Sequence, residues 1–226
     1  MIAVVVPIKA GAQVKSRLSD ILSPEERRGL GLAMAADVLA TLGKVSALQR
    51  HLLVTGDAEA TALAGSAGFT VMPEPEPVGY RSAAQAAMAQ LAAEGVTAAL
   101  CLPADLPLLT VGDVEALIAA IGEAPAAVLA PSRDEGGTNA LALAPPDLMS
   151  LRFGPDSFHL HERQARAAGV RPSVLRRPNL ALDIDTGDDL RALIAQGPTG
   201  RTGDYLEQSG IIRRIENYGA RTGISG

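Results

Sequence analysis

Short apolar runs alternate along the chain with stretches whose apolar residues recur every three or four positions. Residues 2–8, Ile-Ala-Val-Val-Val-Pro-Ile, are rich in β-branched side chains and predict a strand buried on both faces. Residues 9–23 read as a loop. Ser23-Pro24-Glu25-Glu26 then reads as a helix start: Ser23 can cap, Pro24 suits the first helical position and Glu26 completes a capping box. Leu30, Met34, Val38 and Leu42 follow at four-residue spacing, one apolar stripe facing a core. Further strands are predicted at residues 51–55, 69–72, 97–102, 126–130 and 139–144. Helices are predicted after Gly56-Asp57, over 81–93, from the Thr110/Asp113 capping box to Ile121, and over 157–168. The prolines at 73, 75 and 77 make 73–79 a loop. A short strand is expected near 180–184, and Thr186, Asp188 and Asp189 open another helix.

This alternation implies an α/β fold, a mainly parallel sheet covered by helices. The expected division is a domain over 1–196 and an extension over 197–226. That extension is rich in Gly, Arg and Thr and weakly periodic. A tail, a swapped segment and a strand added to a partner all stay open for it.

Composition narrows the function classes. With 47% hydrophobic residues the chain is not a disordered one. Only 3% are aromatic, none is Trp, and 25 acidic residues outnumber 20 Lys and Arg; broad nucleic-acid binding is excluded on both counts. Any phosphate site must be local. The single cysteine, Cys101, sits in an apolar run, reads as a buried small hydrophobe and fits a reducing compartment. No segment approaches the ~20 apolar residues of a membrane span, and the first residues read as a strand and not a leader, so a cytoplasmic protein is expected.

In open α/β sheets, ligands gather at the carboxyl ends of strands, and candidate chemistry collects at those places. Lys9, Lys15, Ser16 and Arg17 follow the first strand; they could neutralise a triphosphate or be a solvated basic loop. Asp105 follows another strand, held between Pro103 and Pro107, and suits a hard cation that also touches phosphate, or a turn or cap. Asp183 and Asp185 are two apart and would share one face of an extended stretch. Such a carboxylate pair is stable beside a cation, although one could be a cap and the other solvated. Asp134-Glu135-Gly136-Gly137-Thr138-Asn139 offers backbone N–H groups to an anion, and Ser157 opens or caps a helix whose N-terminus could hold carboxylate or phosphate. His161 lies one turn further on. With no second His or Cys cluster, zinc is not expected. No Gly-Lys-Ser/Thr phosphate loop, dinucleotide fingerprint or serine nucleophile elbow is present.

Taken in order, Pro7-Ile8-Lys9 with Lys15-Ser16-Arg17-Leu18, Leu102 to Pro107, Pro131-Ser132-Arg133-Asp134 with Gly136 to Leu141, Phe153-Gly154 with Ser157-Phe158 and His161, and Asp183 to Thr186 carry a resemblance. The chain resembles the guanylyltransferases that activate a phosphorylated three-carbon acid for coenzyme F(420) biosynthesis. The resemblance implies a Rossmann-like nucleotidyltransferase fold of the GT-A type, with helices on both faces of the sheet. It implies GTP as donor, Mg²⁺ as cofactor and a homodimer, while composition and the lack of a long apolar segment argue against nucleic-acid and membrane partners. By position it puts Asp105, Asp183 and Asp185 on the metal, and Lys9, Lys15, Arg17, Gly79 and Asp105 on the nucleotide. Asp105, Lys15 and Arg17 would do the catalysis, and Thr138, Gly154, Ser157 and His161 would hold the acid. One departure stands out. The family has Gly-Leu-Asn-Ala after the proline-rich loop, whereas Gly79-Tyr80-Arg81-Ser82-Ala83 stands here, with Arg in the place of Asn. A same-fold enzyme with another donor or acceptor, and a non-catalytic binder of phosphometabolites, remain open on the residues alone.

Overall fold

The structure, a computed structural model, describes residues 1–9, 15–74 and 79–222. Parts of two expected loops, 10–14 and 75–78, lie outside the described residues.

Seven strands form one sheet: β1 (Ile2–Pro7), β2 (Arg50–Val54), β3 (Thr70–Met72), β4 (Ala98–Cys101), β5 (Ala126–Pro131), β6 (Thr138–Ala144) and β7 (Ser173–Val174). Their order is β3-β2-β1-β4-β6-β5-β7. β6 alone runs against its neighbours; every other pairing is parallel. The chain leaves β1 toward β2 on one side and returns to it through β4 on the other. The gap between the carboxyl ends of β1 and β4 is therefore the topological switch point, where ligands bind in such sheets. Because β6 is reversed, its first residues, Thr138 and Asn139, lie at that same edge.

Strand alternation sorts the core into two faces. Val4, Val6, Leu53, Leu100 and Val128 pack under α1 (Pro24–Leu42), α2 (Ala58–Ala67) and α4 (Val111–Ile121). Ala3, Val5, Leu52, Ala99 and Leu129 pack under α3 (Tyr80–Ala93) and α5 (Ser157–Ala167). Helices thus cover both faces, as expected. The capping boxes at Ser23/Glu26, Thr110/Asp113 and Thr186/Asp189 all form; the last starts α7 (Gly187–Ala195). No helix among the described residues is long and apolar enough to cross a membrane.

One expectation needs correction. The stretch 180–184 is no strand: α6 (Pro178–Ala181) is a single helical turn, and Leu182 to Ile184 then run extended without a ladder partner. The carbonyls of Leu180 and Ala181, which a strand would give to a neighbour, are taken by the Asn139 side chain and the Arg133 N–H. Ser157 opens α5, as expected, and does not cap it. Asp156 occupies that position in the left-handed region, and Ser157 is the first helical residue. The region after Gly197 adds no strand; it forms α8 (Gly200–Gln208) and α9 (Ile211–Thr222). Leu206 and Ile211 are buried with Leu30 and Met34 of α1 in a third cluster, and Asp37 of α1 accepts from the Arg201 and Thr202 N–H groups at the start of α8.

Candidate active site

The loop after β1 brings Lys15 to the switch point. Lys15 itself is left-handed (φ 58°), and the 3-10 turn Ser16–Leu18 that follows anchors the loop through buried Leu18. The Lys15 ammonium contacts Asp105 Oδ2 and donates to Asp185 Oδ1 at 2.8 Å, with its side chain only 8% exposed. Burial alone would lower the Lys15 pKa; the charges of Asp105 and Asp185 outweigh it, and the net shift is upward. Lys15 is therefore charged at any working pH.

The other Asp105 oxygen, Oδ1, is buried and has no hydrogen-bond partner among the described residues. Ile184 N–H donates to the Asp105 carbonyl at 3.2 Å, which ties the aspartate segment 183–185 to the end of β4. Leu182 and Ile184 point into the third core, so Asp183 and Asp185, alternating with them, turn away from it. Asn139 Nδ2 donates to Asp183 Oδ1 at 3.0 Å, and to the carbonyls of Leu180 and Ala181 at 3.0 and 3.2 Å. Burial, then the Asp105 charge, push the Asp183 carboxyl up to about 6, against the Asn139 bond.

Two carboxylates thus hold one ammonium, and the third, Asp183, lies close enough to feel their charge. The three do not close into a cage, since among the described residues no three His, Cys, Asp or Glu side chains form a ready metal site. The donors are all oxygen, negative charge is in surplus, and one buried carboxylate oxygen is unpaired. That set fits a hard cation sharing its shell with phosphate, which needs only one or two protein carboxylates.

On the other side of β6, Thr138 N–H donates to Ser157 Oγ at 2.9 Å. Thr138 Oγ1 lies 2.9 Å from His161 Nδ1, and Arg152 N–H donates to His161 Nε2 at 2.8 Å. His161 is fully buried, and that burial lowers its pKa to about 4. Gly154, at φ 128°, is exposed in the turn before α5 and accepts from Ser157 N–H.

Residues 2–222 match the family described as guanylyl transferase CofC like. The chain belongs to that family. Within it, the phosphoenolpyruvate guanylyltransferase of Rubrobacter xylanophilus is 41% identical over 196 residues, covering 85% of this chain and 93% of that one. The 2-phospho-L-lactate guanylyltransferase of Methanothermobacter thermautotrophicus is 35% identical, covering 90% and 89%. The 3-phospho-D-glycerate guanylyltransferase of Phenylobacterium zucineum is also 35% identical, covering 89% and 93%. Among solved structures, a nucleotide-diphospho-sugar transferase fold from Desulfovibrio desulfuricans superposes with a TM-score of 0.76 at 18% identity, over 95% of this chain and 97% of that one. A nucleotidyl transferase from Methanothermobacter gives 0.63 at 16%, over 87% and 97%. The fold is that of the nucleotidyltransferases.

The guanylyl transferase family match includes α8 and all of α9, so the tail is part of the family's chain. Lys9 and Arg17 are exposed at the mouth of the β1 loop. Gly79 caps α3 at φ 151° and donates its N–H to Glu74 Oε1 at 3.0 Å. Tyr80, in the segment that departs from the family pattern, is half-buried, with its hydroxyl oxygen enclosed. Its ring meets Phe153 edge-on at 4.9 Å, and Phe153 meets His161 at 5.0 Å. This aromatic line joins the start of α3 to the turn before α5. Two open surface hollows, of about 380 and 330 Å³, share no residue with any of this. Reading the sequence missed two features: Asn139 as the link to Asp183, and Lys15 as the partner of two aspartates. Asn139 stands in a polar loop-to-strand junction, where a buried amide has to find partners. That signal was available; the identity of the partners was not.

Proposed function

We propose that the chain transfers GMP from GTP to the phosphate of a small phosphorylated carboxylic acid, phosphoenolpyruvate, 2-phospho-L-lactate or 3-phospho-D-glycerate, with release of pyrophosphate, in coenzyme F(420) biosynthesis. One observation carries this reading. Thr138 and Asn139, adjacent on β6, engage opposite halves of the site: Thr138 meets Ser157 and His161, while Asn139 meets Asp183. A cluster rich in carboxylates, suited to a metal-bound triphosphate, and a pair of hydroxyls, suited to an acid, are thus joined at consecutive residues.

In this reading an oxygen of the acceptor phosphate forms a bond to the α-phosphorus of GTP. The bond from that phosphorus to the α–β bridging oxygen breaks, and its electron pair leaves with pyrophosphate. A phosphate monoester, with a second pKa of about 6, is already anionic and needs no base. The obstacle is repulsion between two polyanions. Asp105, Asp183 and Asp185 would hold Mg²⁺, which when bound supplies charge neutralisation there. Lys15 orients Asp105 and Asp185 and keeps a fixed positive charge between them, while Lys9 and Arg17 meet the triphosphate at the mouth. Thr138, Ser157 and the Gly154 turn receive the acid.

The test is pyrophosphate release with each of the four NTPs, Mg²⁺ and each of the three acids. Release with GTP and at least one acid is expected. Release with another NTP in preference to GTP, or with none of the acids, rejects the assignment.

A further inference from the structure

We propose that His161 is a positioning residue: as a neutral ring protonated on Nδ1, it fixes the Thr138 hydroxyl so that its hydrogen is donated to the acceptor acid. The inference rests on the reading that Thr138 and Ser157 meet that acid, and deepens it.

The tautomer follows from the partners. Arg152 N–H can only donate, so His161 Nε2 must accept and carries no hydrogen. Full burial, with no carboxylate bonded to the ring among the described residues, keeps it neutral and lowers its pKa. The single ring proton is therefore on Nδ1, and it is donated to Thr138 Oγ1. Thr138 then accepts from His161, and its own hydroxyl hydrogen has no acceptor among the described residues. Ser157 is in the same condition: its Oγ accepts from Thr138 N–H, and its hydrogen has no protein acceptor among the described residues. Two adjacent buried hydroxyls, each locked by an incoming hydrogen bond, are left with hydrogens to give. Such a pair suits an anionic oxygen and disfavours a cation. The second arm of His161, through Arg152 N–H, fixes the backbone that leads to Phe153 and Gly154, and the Phe153 ring packs edge-on against the imidazole. The imidazole thus has no role in touching the acid; it sets which way the Thr138 hydroxyl faces.

Two isosteres separate the arms. His161→Asn keeps an N–H at the Nδ1 position and loses the Nε2 acceptor. His161→Gln can keep an acceptor near the Nε2 position and loses the donor to Thr138. With the full chain, GTP and Mg²⁺, His161→Gln is expected to raise KM for the acid about tenfold or more, leaving KM for GTP within about twofold. His161→Asn is expected to stay within about threefold of the wild type for the acid. Equal losses in the two variants, or a matching rise in both KM values, overturn the proposal by showing a role in folding only. Nitrogen-15 NMR of the wild-type imidazoles is independent of activity. The Nδ1–H tautomer, unchanged from pH 8 to about 5, is expected for His161; an Nε2–H or cationic ring at neutral pH overturns the proposal. Should the wild type turn over none of the acids, the assigned reaction falls, and the tautomer still decides the state of His161.

Discussion

The Lys15 ammonium is paired with the carboxylate of Asp105, 90 residues away, across the switch point of the sheet. It also holds Asp185, so one cation ties the loop after β1 to both acidic segments. Replacing Lys15 by Met removes the charge and keeps much of the stem. The aspartates are then left facing one another with no counter-charge. Because the Asp185 side chain is 48% exposed, the loss is set below that of a fully buried pair, at about 2–3 kcal/mol in chelator. Mg²⁺ should restore more stability to Lys15→Met than it adds to the wild type, since a bound cation fills the same electrostatic role. Urea denaturation with and without Mg²⁺ measures both; equal responses in the two proteins count against metal binding by these carboxylates.

Asp105 has one oxygen on Lys15 and one buried without a partner. Asp105→Asn preserves shape and removes the charge. Turnover is expected to fall by about a thousandfold or more, several kcal/mol of transition-state stabilisation, with the circular dichroism spectrum unchanged. Substantial residual pyrophosphate release would remove Asp105 from the catalytic role.

Asn139 is 5% exposed, and its amide serves three oxygens. Asn139→Ala removes the side-chain donor to the Leu180 carbonyl, leaves the Ala181 carbonyl with the Arg133 N–H alone and frees Asp183 to move. A stability loss of about 2–4 kcal/mol is expected, with weaker Mg²⁺ binding. Calorimetry in the presence and absence of Mg²⁺ checks both parts; an unchanged Mg²⁺ affinity would show that Asn139 supports α6 and nothing more.

What could be read from the residues follows from the range of the forces involved. The Ser23, Thr110 and Thr186 capping boxes are closed within three residues, so their signal is complete in the sequence. Asp105 was legible because strand ends collect ligands in this class of sheet, and Asp183 with Asp185 because two carboxylates set two residues apart call for a cation. Their partners were not. Lys15 to Asp185 spans 170 residues and Asn139 to Asp183 spans 44, and no local pattern encodes either. The helices α8 and α9 escaped for the same reason. Gly200 starts α8 at φ 70°, and the cap that satisfies its first turn is Asp37, more than 160 residues away. Read locally, that stretch looks like a glycine-rich tail.

The docking of α8 makes its own prediction. Leu206 is fully buried against α1 in the third cluster, and Tyr205 lies over Gly29, where an added Cβ would come within 2.3 Å of the phenol oxygen. Leu206→Ala should cost about 2–4 kcal/mol, the usual range for a buried Leu that leaves a cavity. Removal of residues 197–226 should cost more, by exposing Leu30, Met34 and Leu193 together. Thermal unfolding of both variants is the check. A truncated chain as stable as the full one would show that the third cluster contributes little.

Two buried groups titrate in one acidic window with opposite sign. His161 is depressed to about 4 from 6.5. The unfolded chain therefore takes up the proton first as pH falls, and the stability His161 contributes is present above pH 6.5 and lost on the way down to about 4. Asp183 is raised to about 6 from 3.8. The folded chain takes up that proton first, so the cost of its buried charge is present above pH 6 and relieved as pH falls toward 3.8. Each effect is about 3 kcal/mol at most, so in the wild type they largely cancel and a shallow stability profile is expected between pH 6.5 and 4. Single substitutions uncover the two limbs. Asp183→Asn should lose stability steeply with acid, because only the His161 effect is left. His161→Asn should become more stable toward pH 4 relative to its value at pH 7. Urea midpoints taken across this range distinguish the cases, and two variants with parallel profiles would show that neither group is perturbed as its surroundings require.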